Sequence, residues 1–573
     1  MSLQAQAAHH WGAAARAGLA LLLATSFLMP VSQPPVVTAI GELWAVAVAG
    51  VACIAMGLWA WRQAPLAIAG FPTPRADEGT WPRLLLVCLA VAALVSAALA
   101  VLQVLAPQVL ASAPGSILQG THLPGRAVAH LRQPNHLATL LVWGSIAWVV
   151  MTESGAVRPI AAWAGQALLM WGVVLTGSRT GLLALVLLVA WGALDRRLSR
   201  LGRAVLLASP ILAVVAWGAM QVWAGATESA FGASDPVRVS TGGDISSSRF
   251  AIWRNTWALI LQHPWTGVGW GNFNIAWTLT PFPDRPTALF DHAHNLPLHL
   301  MVECGIPLGL SATLLLVAAV AHAGRRAWGD AGPWGVWRRG AFMLLPIVGL
   351  HSLLEYPLWY SYFALPTLAA LMVAGGWDRA GPRSARWKAL GWIVGGSVLT
   401  VLSVWAFMDY QKIRAIYAPR PSDGPLAARM AQGQDVTWFA AHAHYALATN
   451  VRPIPGRPWT PALERAFEGA PHVLLDTRLM TAWAEALAAR NGPGDVDKAR
   501  HLAARLREFK PAAAATGIGN CGSGEVNPPA PEAGSPAATA QGSGSAPAWA
   551  CEAPRQAWSW RALIEIPDHS VPK

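Results

Sequence analysis

The sequence predicts an all-α, polytopic membrane protein, and three observations carry that expectation. Of 573 residues, 54% are hydrophobic and only 12% are charged, about half the ~25% charged content of a globular domain. The mean hydropathy is +0.39. The apolar residues neither alternate nor keep to one face; they come in long, almost uncharged blocks. A soluble enzyme, a disordered regulator and a disulfide-stapled mini-scaffold are excluded. The formal net charge of +12 needs a local explanation before nucleic acid is invoked.

Eleven blocks approach the roughly 20 apolar residues that a membrane-crossing helix needs. They run over residues 17–29, 36–61, 84–106, 137–151, 160–175, 181–194, 204–224, 296–321, 341–354, 360–376 and 390–408. About 11 transmembrane helices are therefore expected, the shorter blocks being tilted or re-entrant. Block 17–29 has a weakly basic start and no clean small-x-small cleavage site. An uncleaved first helix is expected there, not a signal peptide.

Lys and Arg in the connections set the orientation. One alternating set carries 17 of them, among them Arg62, Arg196, Arg197, Arg325, Arg326 and Lys388. The other set, leaving aside the long connection after Ala224, carries only Arg126, Arg132 and Arg179. The first set is expected in the cytoplasm, which puts the N-terminus inside and everything after Met408 outside. There are 24 basic and 14 acidic residues through Met408, and 17 and 15 beyond it. Most of the net charge is thus a topology signal, and no nucleic-acid partner is expected.

Three segments fall on the outer side: 107–134, 225–295 and 409–573. Residues 1–408 read as a membrane domain with two outer loops. Residues 409–510 read as an outer helical domain, with helices expected over 425–432, 438–448, 461–468, 478–490 and 496–509. From 511 onward the chain is a tail whose first part, to 548, is Ala, Gly, Ser and Pro with almost no charge, so a disordered linker is expected. Cys521 and Cys551 flank that linker on an oxidising face and could pair. Cys53, Cys88 and Cys304 fall in membrane blocks and are expected to be inert.

Ionisable groups inside apolar sequence are costly and functional by default, and five polar clusters share the expected outer face. In RAVAHLRQPNH (126–136), Arg132 and Gln133 precede a Pro134 turn, and Asn135 and His136 open a helix. That is an anion site at a helix N-terminus, or a capped start with a snorkelling arginine. TGSRTG (176–181) is a tight turn with Arg179 at its tip, suited to phosphate through the guanidinium fork or to capping nearby carbonyls. SSSRFAIWRNTW (246–257) sets Arg249, Trp253 and Trp257 four residues apart on one helix side, which a helix lying in the membrane interface would also show. The glycines at 267, 269 and 271 lack the GK[ST] ending of a phosphate loop, and no nucleotide site is read there.

The fourth cluster, DHAHNLPLHLMVECG (291–305), is the most specific. His292, His294 and Asn295 stand at the mouth of a helix, with Glu303 about two turns further in. Histidine there suits proton transfer. No carboxylate pattern completes a tetrahedral metal set, so no metal is expected. In HSLLEYPLWYSY (351–362), His351 and Glu355 are spaced i, i+4 and Tyr356 precedes a proline; the pair either satisfies itself in the bundle or belongs to a site.

Together these elements resemble the O-antigen ligase superfamily and, within it, the protein O-oligosaccharyltransferase branch of the PglL type. The resembling stretches are RQPNHLATLL at 132–141, TGSRTGLLAL at 176–185, the SSR-x₃-W start at 246–253, GVGWGNF at 267–273, HAHNLPLHLMVECGIPLG at 292–309 and HSLLEYPLWYSYFALP at 351–366. They span roughly 107–366. The QPN and EYPLWY elements, with an outer domain after the last helix, favour the protein-glycosylating branch. The resemblance implies a GT-C-like fold in a bacterial inner membrane, with the active site and C-terminal domain periplasmic. It implies en bloc transfer of a preassembled glycan from undecaprenyl pyrophosphate to Ser or Thr hydroxyls of periplasmic proteins, with no nucleotide sugar, cofactor or metal. It implies an essential histidine at His294 and pyrophosphate contacts at Arg179 and Arg249, with Arg132 as a helper. Gln133 and Tyr356 match acceptor-side positions; Asn135, His136, His292, His351 and Glu355 are supporting candidates.

The residues suit that chemistry on their own terms. A pyrophosphate is already a good leaving group, so the main need is to neutralise its growing charge, which fixed guanidinium groups do. The acceptor hydroxyl needs a general base. His294 is expected in that role, oriented by Asn295 or Glu303, and direct displacement inverts the anomeric carbon. Lipid A–core or another lipid-linked glycan could replace protein as acceptor. From a different class, a lipid-linked glycan transporter would hold its substrate near the midplane between repeated halves, whereas these clusters gather at one face and no repeat is visible.

Overall fold

The computed structural model describes residues 3–68, 80–112, 123, 125–232, 245–282, 285–286, 289–377, 385–509, 518, 521 and 546–564. These residues form helices and connecting turns, with no strand among them. In chain order the helices are α1 (Leu3–Ala24), α2 (Ala39–Ile68), α3 (Thr80–Leu105), α4 (Pro107–Ser112), α5 (Pro134–Glu153), α6 (Pro159–Thr176), α7 (Arg179–Leu194), α8 (Arg200–Leu207) and α9 (Ser209–Thr227). There follow α10 (Ile245–Gln262), α11 (Phe273–Leu279), α12 (Leu296–Gly329), α13 (Gly335–Ser352), α14 (Ser361–Gly375) and α15 (Ala385–Tyr417). The C-terminal set is α16 (Leu426–Gly433), α17 (Ala440–Asn450), α18 (Pro461–Gly469), α19 (Thr477–Arg490), α20 (Asp495–Phe509), α21 (Ala548–Cys551) and α22 (Trp560–Ile564).

Every apolar block of the sequence overlaps a helix. Block 204–224 is divided between α8 and α9, because Pro210 at the start of α9 has no N–H to continue the preceding ladder. Helix α12 breaks at Gly305 (φ 81°, ψ 163°), just ahead of Pro307. Among the described residues, seven helices are long and apolar enough to cross a membrane: α2, α3, α5, α6, α9, α12 and α15. Shorter apolar helices lie in α1, α7 and α14. Among the described residues the protein is all-helical, with the succession of long apolar helices that a polytopic membrane protein has.

The chain divides into two compact units, residues 1–244 with 314–407 and residues 245–313 with 408–573. The first is a bundle built around α3, α5 and α6. Helix α5 is buried along most of its length, including Leu137, Leu140, Leu141, Trp143 and Ile146. Gly144 lets it approach α3, since a Cβ there would overlap Ala93; small residues at such crossings are how membrane helices gain close packing. Several interior polar side chains pair with one another or with backbone carbonyls, as a water-free environment favours. Gln166 donates to Ser145 Oγ and Ser209 Oγ, each at 2.8 Å, and the Trp143 indole donates to the Leu344 carbonyl at 3.0 Å.

The second unit joins α10, α11 and the start of α12 to the C-terminal helices around Phe273, Trp277, Leu279, Phe467, Leu479 and Trp483. Asn274 donates to the Pro471 carbonyl at 2.8 Å and accepts from the Leu475 amide at 3.3 Å. His501 Nε2 donates to the Leu279 carbonyl at 3.1 Å. Arg285 donates to the carbonyls of Trp277 and Thr278 at 2.6 and 3.2 Å and lies 3.5 Å from Glu508. The five helices expected after Met408 are present as α16 to α20. Cys521 and Cys551 form a disulfide, while Cys88 is a buried thiol and Cys53 and Cys304 are half-buried ones. Most of the expected linker, and residues 565–573, lie outside the described residues.

Candidate functional site

In the first unit, α5 begins where the sequence predicts. Gln133 caps it, its side chain accepting from the His136 amide at 2.7 Å, and Pro134 occupies the first turn, where a missing N–H costs nothing. Arg132 stands in the left-handed region (φ 61°), and its Nη2 donates to the Pro30 carbonyl at 2.9 Å. Burial lowers its pKa from the ordinary value.

Asn135 joins three clusters that are distant in sequence. Ser178 Oγ donates to Asn135 Oδ1 at 2.6 Å, and Asn135 Nδ2 donates to Glu355 Oε1 at 3.2 Å. Ser178 also caps α7, accepting from the Gly181 amide at 3.1 Å, which fixes Arg179 as the first residue of that helix. His136 Nδ1 meets the Tyr362 hydroxyl at 3.0 Å, and His351 Nδ1 meets Thr139 Oγ1 at 2.8 Å. Tyr356 stacks on Tyr360 with ring centres 6.0 Å apart. Ser178, Thr139 and Tyr362 are participants that sequence reasoning did not single out. All three lie inside the motif stretches, but nothing in their spacing distinguishes them from ordinary helix polar residues.

Arg179 is exposed at the rim of a largely apolar cavity of 680 Å³ in the same unit. The walls come from α6, α7 and α9 and include Val173, Leu182, Leu185, Val189, Ala213 and Trp217. A fixed cation beside the positive end of a helix dipole thus overlooks an apolar groove.

In the second unit, Asn295 caps α12, its Oδ1 accepting from the Leu298 amide at 3.1 Å. His294, 7% exposed, precedes it in the left-handed region (φ 53°). His294 Nδ1 lies 3.0 Å from the His292 carbonyl. A carbonyl only accepts, so Nδ1 carries the proton and the lone pair sits on Nε2. His292 pairs with Asp291 at 3.0 Å. Burial pushes the Asp291 carboxyl up, but the hydrogen bond from His292 and its electrostatic interaction with the neighbouring imidazole rings outweigh it and leave the pKa below the usual carboxylate value.

His299 is a further participant, and its one sequence signal is its position four residues before Glu303. It is buried (3% exposed). Its Nδ1 accepts from the Ala293 amide at 3.4 Å, and its Nε2 lies 3.6 Å from Glu303 Oε2. Glu303 Oε1 accepts from the amides of Gly271 and Phe273 at 3.0 and 3.4 Å. Of the two groups expected to orient His294, Asn295 caps the helix and Glu303 reaches His299 and the glycine-rich loop. That loop docks backbone to backbone on α12: the Val268 amide on the Val302 carbonyl at 2.8 Å, and the Gly269 amide on the Glu303 carbonyl at 3.0 Å. Gly267 (φ 67°) and Gly305 (φ 81°) both face carbonyls that a Cβ would strike, so these glycines serve close approach. Arg249 is half-buried near the start of α10, with Trp253 half-buried and Trp257 exposed. Among the described residues, no three His, Cys, Asp or Glu side chains group as a metal-binding set.

Comparison with known proteins finds three family matches. Residues 164–313 match the O-antigen ligase family, residues 127–149 the protein glycosylation ligase family, and residues 340–516 the C-terminal region of the virulence factor membrane-bound polymerase family. The resemblance read from the motifs is therefore found again by direct comparison. The matched stretches contain Arg132, Arg179, Arg249, His294, Glu303 and Glu355.

Two relatives from Acinetobacter baylyi are more particular. The chain is 26% identical over 319 residues to a general O-oligosaccharyltransferase, covering 52% of this chain and 53% of the relative. It is 24% identical over 246 residues to a ComP-specific O-oligosaccharyltransferase, covering 42% of each. The chain thus matches about half the length of these curated relatives.

Proposed function

We propose that this protein is a membrane glycosyltransferase that moves a preassembled oligosaccharide from undecaprenyl pyrophosphate to Ser or Thr hydroxyls of periplasmic proteins. The observation that carries the reading is Arg179 at the rim of the 680 Å³ apolar cavity. The proposed donor has the matching chemistry, an anionic pyrophosphate on a long isoprenoid tail. A guanidinium holds the anion in a bidentate fork, while apolar walls take the tail. The relatives' names support glycan transfer to protein.

In this reading the acceptor oxygen attacks the anomeric carbon while His294 Nε2 takes its proton, a contribution of about 10²–10⁴-fold. The bond from the anomeric carbon to the pyrophosphate oxygen breaks, and the lipid pyrophosphate departs with that electron pair. The configuration inverts. Arg179, Arg249 and Arg132 offset the charge that grows on the leaving group, and Gln133 and Tyr356 act on the acceptor side. No metal or cofactor takes part. About eleven membrane helices, a cytoplasmic N-terminus, an inner-membrane location and a periplasmic segment after Met408 belong to the same proposal.

The test is expression with a lipid-linked glycan donor in cells lacking their own ligases. Glycan on a periplasmic Ser-rich protein, lost in His294→Ala, supports the reading. The match to the O-antigen ligase family favours one alternative acceptor, and glycan found only on lipid A–core would establish it instead. Donor translocation without transfer would mark a transporter.

A further inference from the structure

Helix α10 has two apolar faces, and only one of them is used inside its unit. Ile252, Thr256, Leu259 and Ile260 are buried. The opposite side presents Phe250, Arg254, Trp257 and Leu261, whose spacing of four, three and four residues keeps them on one helical face. Phe250 is 76% exposed, Trp257 45% and Leu261 60%, and Trp265 just beyond the helix is 78% exposed. Arg254 is exposed among them. Large apolar side chains gathered on one face mark a surface that is covered by something.

The attachment of this segment to α12 says what covers it. The Ile306 amide donates to the Pro264 carbonyl at 2.7 Å, and the Trp265 carbonyl lies directly on Gly305. At that level α12 changes character. Residues 296–306 are all buried or half-buried, whereas Leu308 and Leu310, in the same unit, are 61% and 45% exposed. These leucines lie on a helix long and apolar enough to cross a membrane. The end of α10 is therefore fixed, within its own unit, where the exposed apolar surface of that helix begins. Tryptophan belts occupy this depth because the ring is amphipathic. An arginine among apolar residues can lay its stem on the acyl boundary and reach the phosphates.

We infer that the Phe250, Trp257, Leu261 and Trp265 face is an interfacial lipid-binding surface that seats α10 at the headgroup–acyl boundary of the leaflet beside Gly305. The inference is independent of the catalytic reading. The rival occupant is an apolar patch of another protein, and depth measurement separates the two. Leu261→Cys and, as a reference, Ile454→Cys (native side chain 58% exposed) are each placed in the full chain with Cys53, Cys88 and Cys304 replaced by alanine. The proteins are nitroxide-labelled and reconstituted into phosphatidylethanolamine–phosphatidylglycerol nanodiscs. Oxygen concentrates in the bilayer and a nickel chelate stays in water. The ratio of oxygen to nickel collisions is expected to be several-fold higher at 261 than at 454. Equal ratios overturn the inference, as does shielding of 261 from both reagents, which marks a protein-covered face. Trp257→Cys repeats the measurement should Leu261→Cys fail to fold.

Discussion

The amide of Ala293 donates to Nδ1 of His299 at 3.4 Å, and that bond fixes which nitrogen of His299 carries the proton. With Nδ1 accepting, the proton sits on Nε2, which faces Glu303 at 3.6 Å. The side chain thereby ties the left-handed turn that carries His294 to the carboxylate that holds Gly271 and Phe273. His299→Ala is expected to lower turnover about 10²-fold by displacing His294, with donor KM little changed. Glutamine accepts with one atom and donates with another, so His299→Gln should restore most of the rate. Glycan transfer in isolated membranes reads both, and equal rates in the two variants would reduce His299 to packing.

Arg179 and the cavity below it make a separable prediction about the donor. Arg179→Ala removes a charge-assisted contact of about 1.5–3 kcal/mol and should raise the donor KM about 10- to 100-fold. Arg179→Lys falls between, because lysine keeps the charge without the planar fork. Val186→Trp narrows the groove from its exposed side and should slow the long-chain donor while sparing a short-tailed analogue. Equal effects on both donors would show that the tail lies elsewhere.

Asn135 is the polar joint of the first unit. Asn135→Leu deprives Glu355, 9% exposed, of one donor and Ser178 of its 2.6 Å acceptor. The expected cost is about 1–3 kcal/mol, seen as a lower melting temperature of the detergent-solubilised protein, together with loss of transfer. Asn135→Asp keeps the Ser178 acceptor but removes the amide donor to Glu355, so it should lower the melting temperature less than Asn135→Leu does.

The helices were legible because apolar runs of this length have few other uses: each block overlaps a helix, although Pro210 divides one block between α8 and α9 and Gly305 kinks another. The pairings were not. Asn135 meets Ser178 across 43 residues and Glu355 across 220, and neither local periodicity nor spacing encodes such contacts. His351 illustrates the limit: its i, i+4 spacing to Glu355 fits a self-contained pair or a site equally, and the fold adds partners that the spacing does not reveal, Thr139 for His351 and Asn135 for Glu355. His299 was hidden in an apolar run, and the glycines of 267–271 take their meaning from a helix break some 35 residues further along.

The second unit carries a pH dependence in five histidines outside the membrane helices. Burial holds His442 down to about 4 and likewise lowers His263, His444, His472 and His501 from the ordinary value of 6.5. The unfolded chain therefore takes up protons near pH 6.5, while the folded unit resists until lower pH, so acid favours unfolding. The stability from these neutral rings is complete above pH 6.5 and drains away as pH falls, for His442 down to about 4. A melting series from pH 7.5 to 5 should show the transition of this unit moving steadily downward, and His442→Leu should flatten the slope by deleting one of the contributing sites. A transition that stays constant across that range would mean that the rings are hydrated in the folded protein.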